Sequence, residues 1–278
     1  MRNIDHDTVD GFGDEWSRFD QSALSEAERQ EIFDQYFAIF PWDRIGQSSV
    51  GFDAGCGSGR WAAVVAPRVG KLHAVDASER ALQVAKRNIK AISAPTSVDF
   101  HCASIDDMPF PDGSMDFGYS LGVLHHMPHT RDAIAACARK LKPGAPLLLY
   151  LYYRFDNRPA WFRAAWQVSD LGRRVVSIMP HGMRFVTSQA LAASIYWPLA
   201  RSARALEKLG VPVDNLPLSA YRDRSFYVMR TDALDRFGTR LEQRFTRNEI
   251  RSMMESAGLE RVTFSAAAPF WCAVGFKT

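Results

Sequence analysis

Between Val50 and Tyr152 the chain alternates short apolar runs with amphipathic stretches, a rhythm that few architectures satisfy. "VGFD", "KLHAVDAS", "SVDFHCA", "MDFGYSLG" and "APLLLYLYY" have the length of buried strands. Among them, Ser78 is placed to cap a helix that carries Leu82, Ala85 and Ile89 on one face. "RDAIAACARKLKPG" turns Ile134, Cys137, Ala138 and Leu141 inward until Pro143 and Gly144 stop it. Arg60 to Ala66 is expected to open a further helix. Strand alternating with helix makes a parallel sheet covered on both faces.

The rhythm lapses from about Tyr153 to Phe245, where the pattern is helical, irregular and rich in Trp and Arg. It resumes with "TRNEIRSMMESAG", a capped helix burying Ile250, Met253, Met254 and Ala257, and with two strands, "LERVTFS" and "FWCAVGFK". Ahead of the first strand, "SEAERQEIFDQYFAIF" joins a capping box, Ser25 and Glu28, to Ile32, Phe33, Tyr36, Phe37 and Phe40 at helical spacing. The expected organisation is an N-terminal helical arm over 1–45, a doubly wound α/β domain over 46–152 and 246–278, and a helical lid over 153–245 inserted after the fifth strand.

Composition excludes several classes. At 278 residues, 47% hydrophobic and 23% charged, the chain has ample material for a core, and a formal charge of +3 does not imply a polyanionic partner. Cys56, Cys102, Cys137 and Cys272 lie far apart without a CxxC, so neither a disulfide framework nor a zinc site is expected, and a reducing cytoplasm is the expected location. "MRNIDHDTVDGFGDEW" has no apolar core for a secretory leader, and "PLLLYLYY" falls short of a bilayer span.

The chemistry begins at "VGFDAGCGSGRWA". Dinucleotide folds use GxGxxG and seat a pyrophosphate on the following helix. Here the spacing is Gly55-x-Gly57-x-Gly59, and Asp53 precedes the first glycine by two residues. A carboxylate there opposes a diphosphate and suits a ligand with an ammonium and a sulfonium, as S-adenosylmethionine has. Asp76 ends the second strand, where an acidic side chain accepts hydrogen bonds from ribose hydroxyls, a feature dehydrogenases share.

"CASIDDMPFPDGSMDFGYSLGVLHH" followed by "LKPGAPLLL" resembles the class I S-adenosylmethionine-dependent methyltransferases, in the broad type 11-like branch that carries "GDAxxLPFPDxSFD" and "LKPGG". The resemblance is close over Val50 to Tyr152 and looser over the last helix and two strands. It implies a Rossmann-like, seven-stranded, mostly parallel sheet with an antiparallel last strand, and S-adenosylmethionine as cofactor, leaving S-adenosylhomocysteine as product. It places Asp53, Ala54, Gly55 and Gly57 at the methionine end, Asp76 at the ribose and Ala77 beside the adenine. Ser104 and Ile105 fall at the adenine edge, and Leu121 and Gly122 offer backbone carbonyl to the amino group. Ser104 replaces the family's frequent aspartate, so that contact passes to Asp106 or to backbone.

Methyl transfer from a sulfonium needs alignment and exclusion of water more than it needs a base. "GVLHHMPH" supplies His126 as the candidate base or substrate-orienting donor, against the plainer reading of a histidine bonded to backbone. His126 and His129 lack a companion carboxylate pair or cysteine, so no metal site is expected there. "FGDEWSRFD" resembles an arm that folds over the cofactor: Trp16 and Phe19 would close the pocket and Arg18 would meet the cofactor carboxylate, unless Trp16 and Phe19 only anchor the arm.

From Leu151 to Phe245 there are fifteen Lys and Arg against eight Asp and Glu, interleaved with aromatics. Such a lid suits a small apolar or aromatic molecule carrying an anion, and Arg222 and Arg224 are the candidate substrate residues. The Asn/Asp-Pro-Pro-aromatic tetrad of nucleic-acid N-methyltransferases is replaced by "SLGVLHH". An RNA or protein acceptor, or a non-catalytic protein that binds S-adenosylmethionine, are the rival readings.

Overall fold

A computed structural model describes residues 3–91 and 97–278. Seven strands form one sheet: β1 (Val50–Ala54), β2 (Lys71–Asp76), β3 (Ser97–Cys102), β4 (Phe117–Leu121), β5 (Pro146–Tyr150), β6 (Leu259–Phe264) and β7 (Cys272–Lys277). Their order is β3-β2-β1-β4-β5-β7-β6. The first five run parallel, and β7 lies antiparallel between β5 and β6. This is the Rossmann-like sheet the sequence implied. Strand order reverses between β1 and β4, and in open α/β sheets ligands bind at the carboxyl ends beside such a reversal.

Small and large residues interlock at that reversal. Gly51 pairs with Phe117 and Phe52 with Gly118, so each glycine faces a ring on the neighbouring strand. A Cβ on Gly118 would lie 2.2 Å from Phe52 Cζ, and one on Gly51 would lie 2.3 Å from the Phe117 ring. Both phenylalanines are fully buried.

The chain divides into two compact units, 1–21, 29–154 and 241–278 in the first, 22–28 and 155–240 in the second. The first holds the sheet and the helices α1 (His6–Arg18), most of α2 (Glu26–Tyr36), α3 (Ala62–Val65), α4 (Glu79–Lys90), α5 (Thr130–Lys140) and α10 (Arg247–Ser256). Ser78 caps α4 through Ala81 N, and Thr246 and Glu249 close a full capping box on α10.

Two helices differ from expectation. α2 stops at Tyr36 rather than continuing through Phe40: the chain turns ahead of Pro41, and Phe37 and Phe40 come down edge-on to Tyr119 and Phe117, with ring centroids 5.3 and 6.0 Å apart. α3 is only four residues long and passes into a 3-10 turn, Ala66–Arg68, because Pro67 brings no amide to an α-helical ladder.

The second unit contains α6 (Ala160–Ser177), α7 (His181–Leu191), α8 (Trp197–Lys208) and α9 (Phe226–Gly238), with a π-helical turn, Ala192–Tyr196, between α7 and α8. Its core joins Val176, Tyr196, Ala200, Met229, Ala233 and Phe237. Asp170 holds Arg173 at 2.6 Å inside it, and Arg173 Nη1 also donates to the Thr239 carbonyl. Trp166 packs on Phe155, whereas Trp161 is 51% exposed. No described helix is long and apolar enough to cross a membrane.

Candidate active site

The carboxyl ends of β1, β2 and β4 bring the glycine loop, Asp76 and Gly122 to one edge of the sheet. Gly55 (φ +81°) and Gly57 (φ +53°) occupy left-handed backbone, and neither has room for a side chain. A Cβ on Gly55 would lie 2.4 Å from Val123, and one on Gly57 2.9 Å from the indole nitrogen of Trp16.

The loop's amides are spent internally. Gly55 N and Cys56 N both donate to the Val75 carbonyl (2.8 and 3.0 Å), Gly57 N to Asp76 Oδ2 (2.9 Å) and Gly59 N to the Cys56 carbonyl (2.8 Å). A diphosphate cradle instead needs such amides aimed outward at the head of a helix, and the helix here is the short α3. Backbone chemistry at this loop therefore disfavours phosphate.

Asp53 and Asp76 give the site its polarity. Asp53 is 2% exposed, and its carboxyl lies against the buried Tyr119 hydroxyl. Burial pushes the Asp53 carboxyl up to about 8, with Asp76 adding to the rise and Tyr119 and Arg60 opposing it. Asp76 accepts from Gly57 N and, through Oδ1, from Ser78 N at 2.8 Å. Burial raises its pKa and those two amides lower it. Asp76 thus helps to form the turn, yet two bonds leave half of a carboxylate's acceptor sites open. Burial first, and then the charges of Asp76 and Asp53 beside it, hold the Cys56 thiol protonated.

On the β3 side, Ser104 donates its hydroxyl to Asp106 Oδ1, and Ile105 is buried beside it. The N-terminus reaches this point. Asn3 N donates to Asp106 Oδ2 (3.2 Å), Asn3 Nδ2 to the His129 carbonyl (2.8 Å), and His129 N to Asn3 Oδ1 (2.8 Å). From there α1 crosses the rim. Phe12 meets His126 edge-on with centroids 5.0 Å apart, a Cβ on Gly13 would touch Ser78 Oγ at 2.7 Å, and Trp16 lies over Gly57. Ala77, at the turn between Asp76 and Ser78, accepts from Cys102 Sγ at 3.7 Å.

Arm and rim distribute the expected residues unevenly. Trp16 is at the glycine loop, but Phe19 is buried in the core and Arg18 is exposed in an ion pair with Asp14 one helical turn away (2.8 Å). Arg60, which motif reading passed over, has its guanidinium 4.3 Å from the Trp61 ring and 5.8 Å from the Trp16 ring. Its position directly after Gly59 was the available signal.

His126 Nδ1 meets the Leu241 carbonyl at 2.7 Å. A carbonyl can only accept, so Nδ1 carries the proton and, in the uncharged ring, Nε2 carries the lone pair. His125 is fully buried and stacked on Tyr152 (centroids 3.9 Å apart), and burial holds its pKa well below the ordinary value. Arg222 and Arg224 belong to the second unit. Arg222 is paired with Glu207 at 2.8 Å, and the Arg222 and Arg224 carbonyls both accept from Arg201.

Residues 52–149 match the family described as "Methyltransferase domain". Over 164 residues the chain is 32% identical to a 27-O-demethylrifamycin SV methyltransferase of Amycolatopsis mediterranei, covering 58% of each. It is 34% identical over 132 residues to a ubiquinone biosynthesis O-methyltransferase of Thiobacillus denitrificans, covering 47% of this chain and 53% of that one. The chain spans about half the length of the curated relatives it matches. A solved SAM-dependent methyltransferase from Methanosarcina mazei superposes with a TM-score of 0.50 at 15% identity, over 86% of this chain and 98% of that one, a likeness of fold. With the sheet order, the inward-turned glycine loop and Asp76, these matches make residues 52–149 a methyltransferase domain of the class I S-adenosylmethionine-dependent kind.

Proposed function

We propose that the chain transfers the methyl group of S-adenosylmethionine to a hydroxyl of a small apolar or aromatic molecule. The carrying observation is Asp53: a buried carboxyl beside a loop whose amides point inward, a place for a cation and not for a phosphate. The residues present fit the cofactor. Asp53, Ala54, Gly55 and Gly57 line its methionine end, and the Leu121–Gly122 backbone offers carbonyl to its ammonium. Asp76 takes the ribose hydroxyls, Ala77, Ser104 and Ile105 border the adenine, Trp16 covers the loop, and Arg60 answers the carboxylate.

When bound, the cofactor supplies a methyl carbon already activated by its sulfonium. The protein's task is then to hold the acceptor in line and dry. His126 receives the acceptor's proton at Nε2, its ring fixed by the bond from Nδ1 to Leu241. The names of both curated relatives above specify methylation on oxygen, which supports an oxygen acceptor. All four cysteines are unbridged, in keeping with a reducing cytoplasm.

Calorimetry against S-adenosylhomocysteine, NAD and FAD, followed by labelled methyl transfer to hydroxylated aromatics, RNA and protein, tests the reading. Association with S-adenosylhomocysteine alone and label on a small molecule are expected. Tight binding of a dinucleotide, or label only on RNA or protein, overturns it. Asp76→Ala is expected to weaken S-adenosylhomocysteine by about 1–3 kcal/mol through lost charge-assisted hydrogen bonds; unchanged affinity would remove Asp76 from the ribose site.

A further inference from the structure

We propose that His73, Asp99 and His101 form a second site, for a divalent transition-metal ion of the zinc class, on the outer part of the sheet. β3 is an edge strand, and its Asp99 and His101 are two residues apart, so both side chains project from one face. His73 on β2 is the register partner of Asp99 and shares that face. His73 Nδ1 is 2.9 Å from His101 Nε2 and 3.9 Å from Asp99 Oδ2, and one ligand atom from each residue lies within 4.8 Å of the others.

A zinc-type ion bound at about 2.0–2.1 Å by nitrogen places tetrahedral ligands roughly 3.3 Å apart. The two separations from His73 bracket that value and the third lies within 4.8 Å, so small side-chain rotations assemble the set. Two imidazoles and one carboxylate select zinc, cobalt, nickel or copper over calcium or magnesium, which prefer oxygen alone. Asp99 has a 41% exposed side chain, which leaves the ion a route from solvent and water to complete its coordination.

The surroundings are arranged for ligation. The Phe110 ring packs 5.1 Å from His73 and 6.1 Å from His101 and limits their rotation. Lys71 is the competitor, its ammonium 2.7 Å from Asp99 Oδ2; its side chain is 39% exposed and can leave when an ion arrives. A bound ion would fasten β3 to β2, the strand that ends in Asp76. The site is independent of the methyl-transfer reading.

The test uses the full-length chain without a histidine tag, stripped with chelator and titrated with Zn2+ by calorimetry and with Co2+ by visible absorption. One equivalent with roughly micromolar affinity is expected, together with the d–d bands of a four-coordinate cobalt ion. His73→Asn, His101→Asn and the more exposed Asp99→Asn should each weaken binding roughly tenfold or more, His181→Asn should not, and Lys71→Ala should tighten it. Circular dichroism on each variant separates lost ligation from lost fold, and Asp99→Asn keeps the test open should either histidine variant misfold. No binding tighter than about 1 mM, or binding unchanged in all three ligand variants, overturns the proposal.

Discussion

A carboxyl removed from water without a cation keeps its proton, and burial leaves Asp53 in that condition, with a pKa of about 8. A ligand bearing an ammonium and a sulfonium favours the charged form, so binding must expel the proton. Affinity for S-adenosylmethionine is therefore expected to rise with pH between about 6 and 8 and to level off above, with close to one proton released at pH 7. Calorimetry in buffers of different ionisation enthalpy counts that proton, and Asp53→Asn should abolish the release. A flat profile with no proton released would mean that Asp53 does not face the cation. The sign for stability is opposite. Because the folded pKa is raised, the folded state holds the extra proton from about 4 to 8 and loses stability as pH climbs through that window, so Asp53→Asn should stabilise the ligand-free protein most at pH 8 and above. Position was legible in "GFDAGCG"; charge was not, since it depends on burial against Tyr119 and on Asp76 arriving from another strand. His126 was legible only as a candidate. The Leu241 carbonyl that sets its tautomer lies 115 residues away. His126→Gln is expected to lower kcat by about 10²–10⁴ while leaving S-adenosylhomocysteine affinity unchanged; an intact kcat at neutral pH would remove it as the base.

At the scale of an element, the proposed function makes α1 the cover of the site. Asn3 ties its leading end to Asp106 and His129, Gly13 allows contact with the cap of α4, and Trp16 rests on Gly57. A cover of this kind acts mainly on dissociation, because it must lift before the ligand leaves. Trp16→Ala is expected to speed release of S-adenosylhomocysteine roughly 5- to 50-fold with a smaller change in association, as stopped-flow displacement would show. An unchanged off-rate would make α1 a structural strap only. "FGDEWSRFD" offered Trp16, Arg18 and Phe19 as a cover, and helix geometry sets only Trp16 of the three against the glycine loop. Arg18 and Asp14 are one turn apart and satisfy each other, while Phe19 finds the core. The brevity of α3, which Pro67 enforces, leaves Arg60 in the loop beside Trp16 rather than inside the helix expected over Arg60 to Ala66.

At the scale of the whole molecule, the parallel, doubly wound class followed from periodicity, because each buried run must lie between helical layers and crossovers must return the chain parallel, whereas the antiparallel last strand was implied by the family resemblance alone. The second unit did not yield to the same reasoning. Its partners are set by pairings such as Arg222 with Glu207 and Arg173 with Thr239, which leave no periodic trace, so a basic segment that looked open to an anion spends several arginines internally. Linkage connects the site to the whole chain: a ligand that binds only the folded α/β unit stabilises it by about 2.7 kcal/mol at one hundred times its Kd. For a domain of this size that corresponds to a rise of roughly 5–10 °C in Tm. S-adenosylhomocysteine should produce the shift and NAD should not. Hydrogen exchange should then show slowed amides at residues 53–59, 76–78, 104–107 and 121–122 and along α1, the segments that supply the site. Protection confined to residues 155–240, with the glycine loop exchanging as before, would put the cofactor somewhere other than the carboxyl ends of β1, β2 and β4.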